Sequence, residues 1–427
     1  MRQAWRVIVG LLAVGALAAG GSVALADDGG GHGARDRDNS GPGNAGDRGA
    51  ALAPTLFSMT PADGPPEGVA FDRRTGQFFV SRTGTGAIFS GTLDKPSLGL
   101  FIAGGATSKN PVATGVKVRK GLLYVAGAST GNISVFNIAT KALVAQFATG
   151  GAFVNDLDLT EDGDIFATDS GKPFIYRVDA SKVKAGARGS VASGDVQAIN
   201  VAPEIKVDPN AFNLNGIVVR EDDDEGDDND DNDGVELIVV QSNTGKLFRI
   251  TFPGDRANNN RDDEDREDED RNDNRRDDDR GDDDRRDRGR AAQSSTRKIV
   301  EIKGVSVPGG DGLLVDRGRL LVVQGAPTND IAVVKLRRDD TRGTIESRVT
   351  NDTFPDTNTA DPRLNNPLVG PSTIARARNL LLVVNANFAG AATATEFTVA
   401  GLPRGVVRHG NHRGDDHGGG GGHGGRG

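Results

Sequence analysis

The chain of 427 residues contains no cysteine. This removes disulfides, a Cys nucleophile and any Cys-bearing zinc centre from the candidate chemistry. Histidine is nearly as scarce, for all five, His32, His409, His412, His417 and His423, fall in Gly- and charge-rich ends. The part of the chain able to fold therefore has none. That excludes a Ser-His-Asp triad and the imidazole ligands on which a copper or iron redox centre would draw. The His-bearing carboxyl end reads as a solvated low-complexity segment, with weak transition-metal binding as the alternative.

Charge is unevenly spread. Glu221 to Asp233 holds ten carboxylates and no base, and Arg261 to Arg290 holds sixteen acids against ten arginines. These stretches contribute ten and six net negative charges, more than the −9 of the whole chain, so the remainder is mildly basic. Asn229, Asp231, Asp233 and Gly234 faintly suggest an EF-hand start, but Val240 stands where the bidentate Glu would be needed. Loose, salt-dependent cation binding or plain solubility suits this segment better.

Between these interruptions runs a repeated phrase: a polar residue, commonly Gly, a short apolar strand, a turn, a second apolar strand, then an alternating third. Its copies start at Glu67-Gly68-Val69, Thr114-Gly115-Val116, Asn155-Asp156-Leu157, Asn215-Gly216-Ile217, Asp311-Gly312-Leu313 and Ser372-Thr373-Ile374. A period of about 40 to 50 residues with four short strands per repeat is the signature of a propeller blade. Six copies predict an all-β, six-bladed propeller with four-stranded antiparallel blades. Thr55 to Met59 precedes the first copy and is expected to complete the sixth blade, with Leu56 pairing there to seal the ring.

At the amino end, Arg2 and Arg6 precede an apolar run from Val7 to Ala19, with Ala24-Leu25-Ala26 before Asp27. This reads as a secretory signal peptide over 1–26, with an uncleaved membrane anchor as the alternative. A disordered linker is expected over 27–50, the propeller over 51–405 with insertions at about 221–233 and 254–295, and a disordered Gly/His-rich tail over 406–427. The corresponding location is extracellular, without stable membrane association after cleavage. No nucleic-acid partner is indicated, and the expected form is a monomer acting on a small molecule.

In a propeller the first strand of each blade lines the central channel, so the leading residues form a ring: Glu67, Thr114, Asn155, Asn215, Asp311 and Ser372. Every member carries side-chain oxygen, and two are carboxylates. Oxygen-only donors with two negative charges suit Ca²⁺ best, with Mg²⁺, Mn²⁺ or Zn²⁺ also admissible. A ring that holds only water remains the alternative at this point. Because strands alternate direction, both charged insertions should leave from the face opposite this ring.

The pattern is similar to the senescence marker protein/gluconolactonase family of six-bladed propellers, related to the paraoxonases and to strictosidine synthase. The likeness rests on Pro66-Glu67-Gly68, Asn155-Asp156, Asn215-Gly216 and Asp311-Gly312 and covers about 52 to 402. Phe212-Asn213-Leu214-Asn215-Gly216, Val239-Val240-Gln241-Ser242 and Gly310-Asp311-Gly312 are most similar to a secreted bacterial branch. The resemblance implies a divalent ion held by Glu67, Asn155, Asn215 and Asp311, with Asp311 as the general base of a hydrolase. The fourth-to-first strand connections open on the ring face and should form the pocket walls, with Phe153, Phe212 and Asn213 at the rim; Asp156, Thr114 and Ser372 join Phe153 and Asn213 as expected substrate contacts. No histidine matches the catalytic pair of paraoxonase-like enzymes, and Phe153-Val154 replaces a basic residue before Asn155. These departures point to an apolar or neutral lactone or ester rather than an anionic one. Two further readings stay open: a non-catalytic extracellular propeller that binds protein or glycan around a structural ion, and a metal-free synthase of the strictosidine type.

Overall fold

The computed structural model describes residues 53–183, 191–192, 195–220, 234–252, 297–354, 356 and 358–407. The expected signal peptide, linker and both charged insertions lie outside the described residues, as do all five histidines. Val406 and Val407, assigned by composition to the tail, are instead buried in the propeller core. Among the described residues no helix is long and apolar enough to cross a membrane.

Six antiparallel sheets follow one another along the chain. Blade one is Pro66–Asp72, Gln77–Arg82, Ile88–Thr92 and Gly99–Ile102; blade two is Val116–Arg119, Leu122–Ala126, Asn132–Asn137 and Leu143–Ala148. Blade three is Val154–Leu159, Ile165–Asp169, Phe174–Val178 and Val196–Asn200; blade four is Leu214–Arg220, Val235–Gln241, Lys246–Phe252 and Lys298–Glu301. Blade five is Gly310–Asp316, Arg319–Gln324, Asp330–Leu336 and Gly343–Val349. Blade six takes Pro371–Ala377, Leu380–Asn385 and Phe397–Pro403 from the end of the chain and Thr55–Met59 from its beginning. One departure from four strands per blade is Val191–Ala192, which adds in parallel to the outer strand of blade two.

The core is a ring of layers, because each blade buries both of its faces. Six apolar clusters fill the six spaces between neighbouring blades. Second strands are covered on both sides, which is why Leu320–Val323 and Leu381–Val384 read as unbroken apolar runs rather than alternating ones.

The ring is sealed as the sequence suggests, with Leu56 opposite Ala400 and Phe57 opposite Val399. Phe57 is fully buried between blades six and one and meets Phe78 edge-on, with ring centroids 5.1 Å apart. Emptying that position would open a cavity where the two ends of the chain join. Phe57→Ala is therefore expected to cost about 3–5 kcal/mol, read as a lowered urea midpoint. A change under about 0.5 kcal/mol, the size usual for surface substitutions, would show that the seal contributes little.

Candidate metal centre at the channel mouth

Each first strand enters the channel through the same irregularity. The pairing of first with second strand slips between Pro66 and Val69, Val154 and Leu157, Leu214 and Ile217, Gly310 and Leu313, and Pro371 and Ile374. In blade two, Ala126 donates its N–H to Gly115 O and accepts from Thr114 N, which has the same effect. A β-bulge re-aims a side chain and sharpens the local twist. These five bulges and the blade-two arrangement set Glu67, Thr114, Asn155, Asn215, Asp311 and Ser372 at equivalent positions around one mouth.

The second bulge residue meets the next blade, and this explains its frequent identity as glycine. A Cβ at Gly216 would collide with the carbonyl oxygen of Asp311, and one at Gly115 with the carboxylate of Asp156. Hydroxyls then fasten blade to blade around the ring. Ser81 Oγ donates to Thr114 O at 2.5 Å, Thr168 Oγ1 to Asn215 O at 2.5 Å, Ser170 Oγ to Leu214 O at 2.5 Å and Ser242 Oγ to Gly310 O at 2.5 Å.

A second device recurs in blades three to six, at the end of the second strand. Gln241 Nε2 donates to Lys206 O at 2.7 Å, Gln324 Nε2 to Pro308 O at 2.7 Å and Asn385 Nδ2 to Pro367 O at 2.8 Å. In blade three Asp169 accepts from the N–H groups of Ala152 (2.8 Å) and Phe153 (3.0 Å) and from Tyr176 Oη. Each of these side chains holds the loop that delivers the chain to its own blade's bulge. Only Gln241 stood out in the sequence, and there as part of the resemblance rather than for this role; a buried polar residue closing an apolar second strand is a signal that repeat alignment exposes.

The expected site residues fall into two groups. Glu67, Asp311, Asp156 and Asn215 form one electrostatic cluster, and Asn155 occupies the equivalent bulge position in blade three. Asn155 Nδ2 donates to Ser170 Oγ at 2.8 Å, and the Asn215 amide donates to the Asp311 carboxylate. Both amides thus direct nitrogen toward protein, leaving oxygen as the free end. Asn215 Oδ1 and Glu67 Oε2 are buried and have no hydrogen-bond partner. Burial, then Asp311 and Asp156, push the Glu67 carboxyl well above its usual range. Burial and then Asp156 do the same to Asp311, against the opposing Asn215 hydrogen bond. Asp156 is raised by burial to about 6, with Lys117 acting against the shift.

The other expected residues serve differently. Thr114 Oγ1 donates to Val154 O at 3.1 Å and Ser372 Oγ to Glu67 O at 2.9 Å, so both buried hydroxyls are inter-blade fasteners. Asn213 is corrected outright. It is fully buried, with Nδ2 donating to Ser170 O, Asp208 O and Ala211 O while Oδ1 accepts from Asp208 N; nothing remains for a substrate. Phe153 meets Phe212 edge-on at 5.1 Å, with Phe212 exposed, making an aromatic wall beside Asn155.

The donor set suits a hard divalent cation. It offers only oxygen, two of its atoms are buried without partners, and its carboxylates are short of positive charge. Among the described residues no group of three or more acidic or histidine side chains is placed to hold an ion, so a centre here must draw on amide oxygens. Two surface clefts of about 430 and 300 Å³ lie elsewhere, one lined by Asp94 and Arg378 and one by Asn366 and Phe397. Neither is lined by any of these partnerless atoms.

Fold and site together define a six-bladed propeller with an acidic, amide-bearing axial mouth. No protein-family model matches the sequence, and no curated protein matches it. Among solved structures the chain is similar to a virginiamycin B lyase from Staphylococcus aureus, at 12% identity and TM-score 0.44 over 82% of this chain and 99% of that one. It is also similar to a gluconolactonase from Xanthomonas campestris, at 16% identity and TM-score 0.44 over 83% and 92%. A streptogramin B lyase aligns at 10% identity and TM-score 0.47, over 83% and 99%. The six-bladed architecture itself rests on the strand pairing described above.

Proposed function

We propose that the channel mouth is the active site of a divalent-cation-dependent hydrolase acting on a neutral or apolar lactone or ester. The observation that carries this reading is the paired orientation of the two amides. Asn155 and Asn215 give their nitrogens to Ser170 and Asp311, and the partnerless Asn215 Oδ1 accompanies the partnerless Glu67 Oε2. Glu67, Asn155, Asn215 and Asp311 would hold the cation, Ca²⁺ by donor type and charge. Bound there, it would supply Lewis-acid polarisation of an acyl carbonyl.

The chain's own residues do the rest. Asp311, raised in proton affinity by burial and Asp156, takes a proton from the attacking water as its oxygen bonds to the acyl carbon. The acyl C–O bond then breaks, and the same proton passes to the leaving alkoxide. Asn215 fixes the Asp311 carboxylate through its hydrogen bond. Phe153 and Phe212 offer an apolar wall and no cation, which favours a substrate without negative charge.

Metal analysis of the purified protein, followed by turnover of a lactone and aryl-ester panel before and after chelation, tests this. One ion per chain is expected, with activity lost on chelation and regained with Ca²⁺. A bound ion without turnover of any substrate would leave the non-catalytic propeller reading in its place. Turnover that survives chelation would remove the cation from the reaction.

A further inference from the structure

Arginines that the channel does not use gather on the side of the disc away from the mouth. In blade five, Arg317 occupies the turn between first and second strands, and Arg337, Arg338 and Arg342 the turn between third and fourth. All four are exposed, and none has an ion-pair partner among the described residues. Asp339, the exposed acid of that turn, is committed to Thr341 N and Oγ1 at 3.2 and 2.8 Å. In blade six, Arg376 and Arg404 share the single carboxylate of Asp316, at 3.7 and 3.2 Å. Burial and then Arg73 hold Arg376 below its usual value, against the opposing Asp316.

A matching counter-charge exists in the same chain. The thirteen residues Glu221–Asp233, with ten carboxylates and no base, follow directly on Arg220. Arg220 is ion-paired with Asp340, inside the arginine-bearing turn, and Arg249 donates to Asp339 O at 3.3 Å. The acidic segment therefore starts beside a turn whose own two acids are already engaged, Asp340 by Arg220 and Asp339 by Thr341 and Arg337. Doubled back at about 3.3–3.6 Å per residue, it can extend roughly 20 Å, more than enough to lie across that turn. Tethering raises its effective concentration into the millimolar range or above, and guanidinium–carboxylate pairs form in bidentate geometry.

We propose that Glu221–Asp233 docks intramolecularly on the arginine-bearing turns of blade five, so that the chain screens its own cationic surface from outside polyanions. This inference is independent of the reaction assigned to the mouth, because it concerns the opposite side of the disc.

The experiment compares the full chain with one whose ten carboxylates in 221–233 are replaced by Asn or Gln, checked for an unchanged unfolding midpoint. Phenylglyoxal modification is followed arginine by arginine by mass spectrometry. At low salt, Arg337, Arg338 and Arg342 are expected to react about threefold or more slowly in the native chain, with Arg74 of blade one, paired with Asp72, as an unchanged reference; at about 1 M salt, where the Debye length is about 3 Å, the difference should vanish. On a heparin column the neutralised chain should elute at higher salt than the native one. Equal modification rates in the two chains at low salt would overturn the docking. Equal retention on heparin would overturn the screening and leave the surface to an outside anionic partner.

Discussion

Asp311→Asn is expected to lower turnover of the best lactone or ester by about 10²–10⁴-fold, the range that a positioned general base contributes. The substitution preserves volume and leaves an oxygen to accept from Asn215, so the bulge and the blade contact through the Asp311 carbonyl should persist. It removes the one part-exposed carboxylate of the cluster, Glu67 and Asp156 both being buried. Because the substitution also takes a negative charge from the donor set, turnover must be compared at saturating Ca²⁺, which separates a lost base from a weakened ion. Folding gives the second readout. Burial and neighbouring acids disfavour the charged form of Asp311, as they do that of Glu67, so the variant should melt no lower than the parent in chelator. Undiminished kcat at saturating cation would remove Asp311 from the reaction.

In chelator the protein should lose stability as pH rises from about 4, the ordinary carboxylate range, toward 7, and Ca²⁺ should restore it. Glu67 and Asp311 are both raised well above their usual values, so the folded chain binds more protons than the unfolded chain in this window. Such groups contribute stability that is fully present below the unfolded-state pKa and lost as pH climbs through the folded-state pKa. A cation held by this donor set would supply the missing charge, and at a thousandfold excess over its dissociation constant it would add about 4 kcal/mol. Thermal melts across pH, with chelator and with Ca²⁺, read both effects. The double variant Glu67→Gln/Asp311→Asn should reduce the pH dependence to the part that Asp156 carries and abolish the response to Ca²⁺. A parent protein whose melting midpoint ignores both pH and Ca²⁺ would leave the ring without a cation site.

Much of this was legible in the sequence because a propeller repeats its physics. Six copies of a polar residue, a small one and an apolar strand could be aligned without coordinates, and the alignment placed Glu67, Asn155, Asn215 and Asp311 on equivalent first-strand positions. The lone strand Thr55–Met59 had no partner in its own repeat, and a sheet edge left unpaired at one end of a closed ring points to the blade that needs it. The division of labour within the ring was not legible. Thr114 and Ser372 occupy the same register as the acidic and amide residues, yet short β-hydroxyls reach a neighbouring backbone carbonyl and stop there. Asn213 lies two residues before Asn215 and looks equally available. Its amide is instead consumed by a loop turn whose shape depends on where Asp208 and Ser170 come to rest.

The order of residues alone determined the number of blades, the closing strand and the oxygen-only character of the mouth, since each follows from local periodicity and from which side-chain atoms exist at all. Tertiary structure decided which oxygens are left over. Hydrogen-bond partners come from blades far apart in the chain: Ser372 reaches back to Glu67, and Thr168 forward to Asn215. Whether a buried polar atom is satisfied or free for a ligand depends on those distant partners, which no local pattern encodes.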